Sequence, residues 1–301
     1  MTLLAGDLTT PQRVVNWLPN PPNVSAPILA QLITSMTSLI YGKLSRARTY
    51  SQTFTRTFDG VGNMQLVLPD YPVTSVSSVQ NGAALVQQSV LPVPGTTQPA
   101  GTCEGYGWRL IPWAGDLPGQ NAVLEFNHGY FYMGAQNIKV TYTAGYLISG
   151  EAWTVPAASP FTVTVLQPQG IWCRDNGVTY ANGTALTPVA SSPAVGQYVV
   201  GPDSTPGLYT FSSADAGAAV LISYSFIPSP LEEATIQMVA ERLSYRTRIG
   251  ELSKSLGGQE TVRFLRGGTG RPYTSTSLPP EVMDLIHDYV NVVPPNIGAP
   301  V

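Results

Sequence analysis

The sequence predicts an α+β fold: a helical bundle formed by the N- and C-terminal helices, a β-hairpin/β-sheet section, and an inserted β-sandwich-like module. Three observations carry that expectation. Helical apolar periodicity is confined to the two ends of the 301-residue chain. The middle consists of short runs rich in Val, Ile, Thr, Tyr and Phe between Gly, Pro and Asn turns. Charged residues make up 11% of the chain, and 29 Gly and 27 Pro take up much of the difference, whereas an ordinary soluble domain is roughly 25% charged. The implied division is residues 1–52 and 228–301 as the helical core, 53–150 as the β-rich section and 151–227 as the inserted module.

Each element follows in order. Thr10 is placed to cap a short helix, "PQRVVNWL", with Pro11 at its first position, and "PNPPN" ends it. Ser25 is expected to cap a longer helix on which Leu29, Leu32, Ile33, Met36, Leu39 and Ile40 fall on one face, with Gln31, Thr34, Ser35 and Ser38 opposite. "TYSQTFTRTF" alternates as an extended chain, and "DGVGN" before "MQLVLP" predicts a hairpin. In "LVLPDYPVTSVSSVQNG", Pro69 and Pro72 bend the chain at the end of a hairpin strand. Val73, Val76 and Val79 then anchor it, and Asn81-Gly82 reverses it. Alternation resumes in "NIKVTYTAGY", whose Ile138, Val140 and Tyr142 suit a half-buried strand that Gly145 breaks.

"FTVTVLQ", "GIWCRD", "GQYVV", "GLYTF" and "AAVLISYSF" predict the strands of the inserted module. Ser229-Pro230 then opens a second long helix, with Glu232 and Glu233 suited to its positive terminus and apolar residues on several sides. A glycine-rich polar stretch follows over 250–277, which reads as a contact loop. A last helix begins at Pro279-Pro280 with Val282, Leu285, Ile286 and Tyr289 on one side, and an extended tail closes the chain.

The composition excludes several function classes. A net charge of −3 leaves no basic footprint for nucleic acid and no polybasic membrane anchor. No apolar run suits a bilayer and no signal peptide is apparent, so a chain made and kept in, or assembled in, a cytoplasm is expected. Cys103 and Cys173 are far apart without metal-ligand spacing and read as two buried thiols, with a single disulfide as the alternative. His128 and His287 are the only histidines. His287 reads as a helix-surface partner of Asp284 or Asp288, and His128 as a structural turn residue. Glu232 and Glu233 point in different directions and make no acid–base pair, while Asp175 and Asp215 read as turn residues bonding their own backbone. "FLRGGTGRP" lacks the phosphate-loop pattern. Trp108, Trp113, Tyr106, Tyr130 and Tyr132 could form a sugar platform but are better explained as core or interface. No catalytic residue, cofactor or metal is expected.

Four local patterns, in order, resemble the head-tail connector (adaptor) proteins of long-tailed bacteriophages. They are the amphipathic helix of residues 26–44 with its exit "KLSRARTYSQTFTRTFDG"; the corner "LVLPDYPVTSVSSVQNG"; the closing strand "IKVTYTAGY"; and the second long helix, "SPLEEATIQMVAERLSYRTRIG". In that family the second helix follows the closing strand almost directly, whereas here the module between Tyr146 and Pro228 intervenes. The resemblance therefore covers about residues 1–150 and 228–301.

The resemblance implies a non-enzymatic virion protein at the head-tail interface, assembled in the host bacterial cytoplasm. It would form a homo-oligomeric, dodecameric ring between a portal protein and a neck or tail-completion protein. DNA would pass through the lumen without sequence-specific binding, and no membrane is involved. Arg263, Phe264, Arg266, Arg271, Tyr273, Tyr289, Pro295 and Ile297, in the loop and C-terminal segment, are the candidate contacts to the portal or to neighbouring subunits. The alternative is a carbohydrate- or receptor-binding β-rich virion protein, suggested by the aromatic region 106–132 and the module.

Overall fold

A computed structural model describes residues 6–18, 24–45, 48–88, 107–111, 123–202, 205–246, 253–256, 260–263 and 278–290. Of these, 42% lie in strands and 25% in helices, which overturns the expected fold class: the framework is mainly β, not a bundle of terminal helices. The four helices among the described residues are α1 (Pro11–Trp17), α2 (Ala26–Leu44), α3 (Ser229–Arg246) and α4 (Pro280–Ile286). Only α2 and α3, at 19 and 18 residues, are long; α1 and α4 have 7 each, about two turns, too few to line a bundle seam. α3 does touch α1, α2 and α4, but it also packs on a strand. The apolar cluster that buries Ile33, Ile40, Leu231 and Val282 runs on without a break into Tyr198, Tyr209 and Tyr224 of the β module. The helices therefore share their core with a sheet and have no separate bundle core.

Local signals explain the helix boundaries. Thr10 accepts a hydrogen bond from the Arg13 amide at 3.2 Å, capping α1 ahead of Pro11. Leu29, Ile33, Met36, Ile40 and Leu44 of α2 are buried, while Gln31, Ser35 and Ser38 face outward. Glu232 in the first turn of α3 is buried and accepts from Nε and Nη2 along one edge of the Arg13 guanidinium, with Thr9 donating at 3.2 Å.

The first β section contains β1 (Gln52–Gly60), β2 (Gln65–Val67), β3 (Val73–Asn81), β4 (Ala84–Val86), β5 (Gly107–Ile111), β6 (Val123–Asn127) and β7 (Gly134–Ala144). They form antiparallel sheets of order β1-β7-β3-β4 and β2-β6-β5 around Phe58, Leu124, Phe126, Ile138 and Val140. β1 buries Phe58 and leaves Thr53, Thr55 and Thr57 exposed, as period-two alternation requires. The hairpin expected from "DGVGN" does not form. β1 pairs with β7 and β2 pairs with β6. The connecting residues cross between the sheets, and their backbone groups bond to Phe131, with Gly62 N–H donating at 3.1 Å and Asn63 C=O accepting at 2.9 Å.

The Pro69–Pro72 corner likewise joins the two sheets and does not end a hairpin strand. Asp70 there accepts both Arg56 guanidinium bonds, at 3.0 and 3.1 Å, and the Tyr142 hydroxyl. Tyr71 donates its hydroxyl to the Tyr289 carbonyl, tying the corner to the C-terminal helical region. Gly82 has φ of 64° in the two-residue turn between β3 and β4.

The second section begins with β8 (Leu147–Thr154), four residues before the boundary at 151 that composition suggests. It continues through β9 (Thr162–Thr164), β10 (Gly170–Tyr180), β11 (Thr187–Pro188), β12 (Gln197–Val200), β13 (Leu208–Phe211) and β14 (Ala219–Pro228). Its sheets have the orders β10-β14-β8 and β11-β12-β13-β9. A two-stranded ribbon, β15 (Ser253–Leu256) and β16 (Glu260–Arg263), completes the described strands. The section starts and finishes at one place: Leu147 pairs with Ser225, and the Phe226 amide donates to Tyr146 C=O at 3.3 Å. Gly145 makes the entry possible. Its φ is +129°, and a Cβ there would lie 2.4 Å from the Tyr50 carbonyl oxygen.

Candidate functional site

The candidate contact residues fall in different settings. Arg263 ends β16, its backbone opposite Ser253. Tyr289 is buried, with its ring edge-on to Tyr146 at 6.1 Å, so within one copy the ring belongs to the core. Phe264, Arg266, Arg271, Tyr273, Pro295 and Ile297 lie outside the described residues, as do Cys103, Tyr106 and Trp113.

The residues weighed for catalysis are not brought together. His287 is exposed beside Asp288, Nδ1 to Oδ1 3.3 Å, after α4. His128 is exposed directly after β6, in the connection to β7, with φ of 57°. Glu232 is buried in its clasp with Arg13, whereas Glu233 is exposed and accepts from Gln237 at 3.2 Å. Trp108 is buried and donates to Val86 C=O at 3.0 Å, so its face offers no sugar platform. The Cys173 thiol is pushed up to about 12 by burial, so it stays protonated and unreactive near neutral pH. No group of three metal-ligating side chains occurs among the described residues.

The polar chemistry of the β sections is instead organised as tyrosine–carboxylate clasps. Asp175 lies within β10 and not in a turn, although it does bond its own backbone as expected, accepting the Gly177 amide at 3.1 Å; it also accepts the hydroxyls of Tyr198 at 2.6 Å and Tyr209 at 3.0 Å. Tyr209 in turn accepts from Trp172 Nε1 at 3.1 Å. Glu151 accepts from Tyr224 at 2.6 Å, Trp153 Nε1 at 2.6 Å and the Leu166 amide at 2.9 Å. Asp215 is buried and accepts from Tyr180 at 2.6 Å and the Gly196 amide at 3.3 Å. Burial first, and the neighbouring carboxylates second, hold the Tyr142, Tyr198, Tyr209 and Tyr224 phenols above their ordinary range. None of these phenols is an activated nucleophile, and each carboxylate is occupied as an acceptor.

No protein-family model matches the chain, and no curated protein sequence matches it.

A cleft of about 540 Å³ opens where the two β sections meet, lined by Ser51, Thr53, Thr143, Arg174, Asp175 and Asn176 among others. Bulges in β10 at Cys173 and Asn176 shape this wall. Asn176 accepts from Ser225 Oγ at 2.7 Å, and Ser225 accepts from the Ser51 amide at 3.1 Å, so the cleft floor is also a strut between sections. The Arg174 guanidinium lies 5.6 Å from the Tyr50 ring centroid. Among the described residues no histidine or cysteine lines the cleft, and Asp175 is committed to two phenols. The arrangement supplies hydrogen bonds and rigidity, not a nucleophile with its base.

Sequence reasoning missed the clasps because their partners lie far apart in the chain. One signal was present: the module is nearly devoid of charge, and a carboxylate kept among tyrosines in such a segment needs a partner.

Proposed function

We propose that the chain is a structural, non-enzymatic head-tail adaptor of a long-tailed bacteriophage. It is a homo-oligomeric ring between the portal protein and the neck or tail-completion protein, built in the host cytoplasm, with DNA passing through its lumen. The observation that carries this reading is the spatial order of the four resembling segments. α2 packs on α3. β7, which holds "IKVTYTA", pairs with β3 of the Pro69–Pro72 corner. The second section leaves this framework after Tyr146 and returns to it at Phe226, where the two backbones are hydrogen-bonded. This path supports reading the second section as an insertion between the closing strand and the second long helix.

The chemistry supports the same reading. Asp70, Glu151, Asp175 and Asp215 of the β sections each hold a tyrosine hydroxyl, which suits a scaffold. The low charge suits a chain that covers its surface with neighbours and does not hold passing DNA. No described helix is long and apolar enough to cross a membrane.

The test is phage assembly without the chain. DNA-filled heads and unattached tails should accumulate separately in electron micrographs. Complete particles that fail only to adsorb to cells would replace this reading with the receptor-binding alternative, and fully infectious particles would overturn both.

A further inference from the structure

The cleft between the two β sections carries chemistry that the adaptor reading does not use. Its floor is the outer face of β1 and β7, where Thr53 and Thr143 stand opposite each other with their hydroxyls 3.3 Å apart. Ser51, two residues earlier, takes the same face by the alternation of an extended chain and also lines the cleft. It is 4% exposed. Its amide donates to Ser225 Oγ, but its hydroxyl has no partner among the described residues. A buried hydroxyl without a partner is destabilising, and such groups are rare in folded chains unless a ligand or function accounts for them.

The wall is the bulged stretch of β10 from Arg174 to Gly177. Its acceptors are filled. Asp175 takes three donors, the Tyr198 and Tyr209 hydroxyls and the Gly177 amide, and Asn176 Oδ1 takes the Ser225 hydroxyl. Its donors are not. Asn176 Nδ2 and the Arg174 guanidinium donate to no group among the described residues. The guanidinium lies over the Tyr50 ring, which holds the cation at the cleft while leaving its N–H edges for an acceptor.

We propose that this cleft binds a small hydroxylated carboxylate, a sugar acid of the hexuronate class. Donor balance, charge and lining select it. A guanidinium, a carboxamide NH2 and a buried hydroxyl call for an acceptor-rich anion. Arg174 is the one cation among the described lining residues, and the Asp175 carboxylate follows it in the chain. A monoanion is balanced there, whereas a phosphate dianion would meet repulsion without a second cation to offset it. The planar carboxylate also matches the guanidinium fork. Thr53 and Thr143 present hydroxyls to the ligand's own hydroxyls, and Leu186 and Pro188 add apolar lining for the C–H face of a sugar ring. The cleft volume of about 540 Å³ falls within the range of small-molecule sites. Binding here does not depend on ring formation.

Isothermal titration calorimetry on the full chain, at constant ionic strength, tests the site with D-glucuronate, D-glucose, acetate and inorganic phosphate. Glucuronate should bind once per chain and about tenfold or more tighter than each of the others. Arg174→Gln removes the charge and should weaken glucuronate by about tenfold, and Ser51→Ala should weaken it by about threefold. Lys139→Gln, at an exposed cation of β7 outside the cleft lining, should leave the affinity unchanged. Both cleft variants should keep the wild-type unfolding temperature, because Arg174 is exposed and the Ser51 hydroxyl has no partner to lose. Equal affinity for glucose and glucuronate would overturn the carboxylate assignment. Phosphate or acetate bound as tightly as glucuronate would overturn the sugar acid. No saturable glucuronate binding, or binding that Arg174→Gln leaves intact, would overturn the site itself.

Discussion

At the scale of single residues, the protein uses carboxylates to hold phenols in place. Asp175→Ala leaves two fully buried tyrosine hydroxyls, Tyr198 and Tyr209, without their acceptor. Each unsatisfied group costs about 1–3 kcal/mol. Urea unfolding should show that loss, with Asp175→Asn milder because it retains an oxygen acceptor. The same clasps set the response to alkali. The folded-state phenols of Tyr142, Tyr198, Tyr209 and Tyr224 ionise above the unfolded value, which is about 10. The native state therefore binds those protons more tightly. The resulting stability is complete below about pH 10 and is lost as pH rises from there through the folded values. Tyrosinate absorbance should rise together with unfolding in an alkaline titration. A separate earlier rise from these tyrosines in the folded protein would contradict the clasps.

Elements were legible where their signal is local. The face of α2 could be read from Leu29, Ile33, Met36 and Ile40 because its period arises within the segment. Ile33→Ala should cost about 2–5 kcal/mol as a buried truncation, whereas Gln31→Ala on the exposed face should stay within about 0.5 kcal/mol; denaturant midpoints compare the two. The strands around Ile138, Val140 and Tyr142, and the Asn81-Gly82 turn, were equally readable. Pairing was not. β1 finds β7 across the chain, with Phe58 opposite Ile138, and nothing in "TFTRTFDGVGN" distinguishes that partner from the adjacent β2. The asparagine contacts of the β6–β7 connection escaped notice for the same reason, since Asn81 and Asn137 meet Tyr130 and Tyr132 only once β3, β6 and β7 have assembled.

At the scale of the whole molecule, the expected helical bundle failed because helix ends were legible but their partners were not. α3 packs between helices and β14, and its Leu231 and Val239 belong to the same cluster as Ile222 and Tyr224. The first β section keeps its own core around Phe58 and Phe126. Hydrogen exchange should therefore show α2, α3 and β14 opening together, with β1, β3 and β7 forming a separate protection group. Equal protection across both groups would argue against two cores.

The most direct measurement of the adaptor reading is electron microscopy of the chain mixed with the portal protein of its own particle. The account predicts closed rings of this chain seated coaxially on the portal. A persistent monomer that never associates with the portal, and is not found at the neck of the assembled particle, would contradict it.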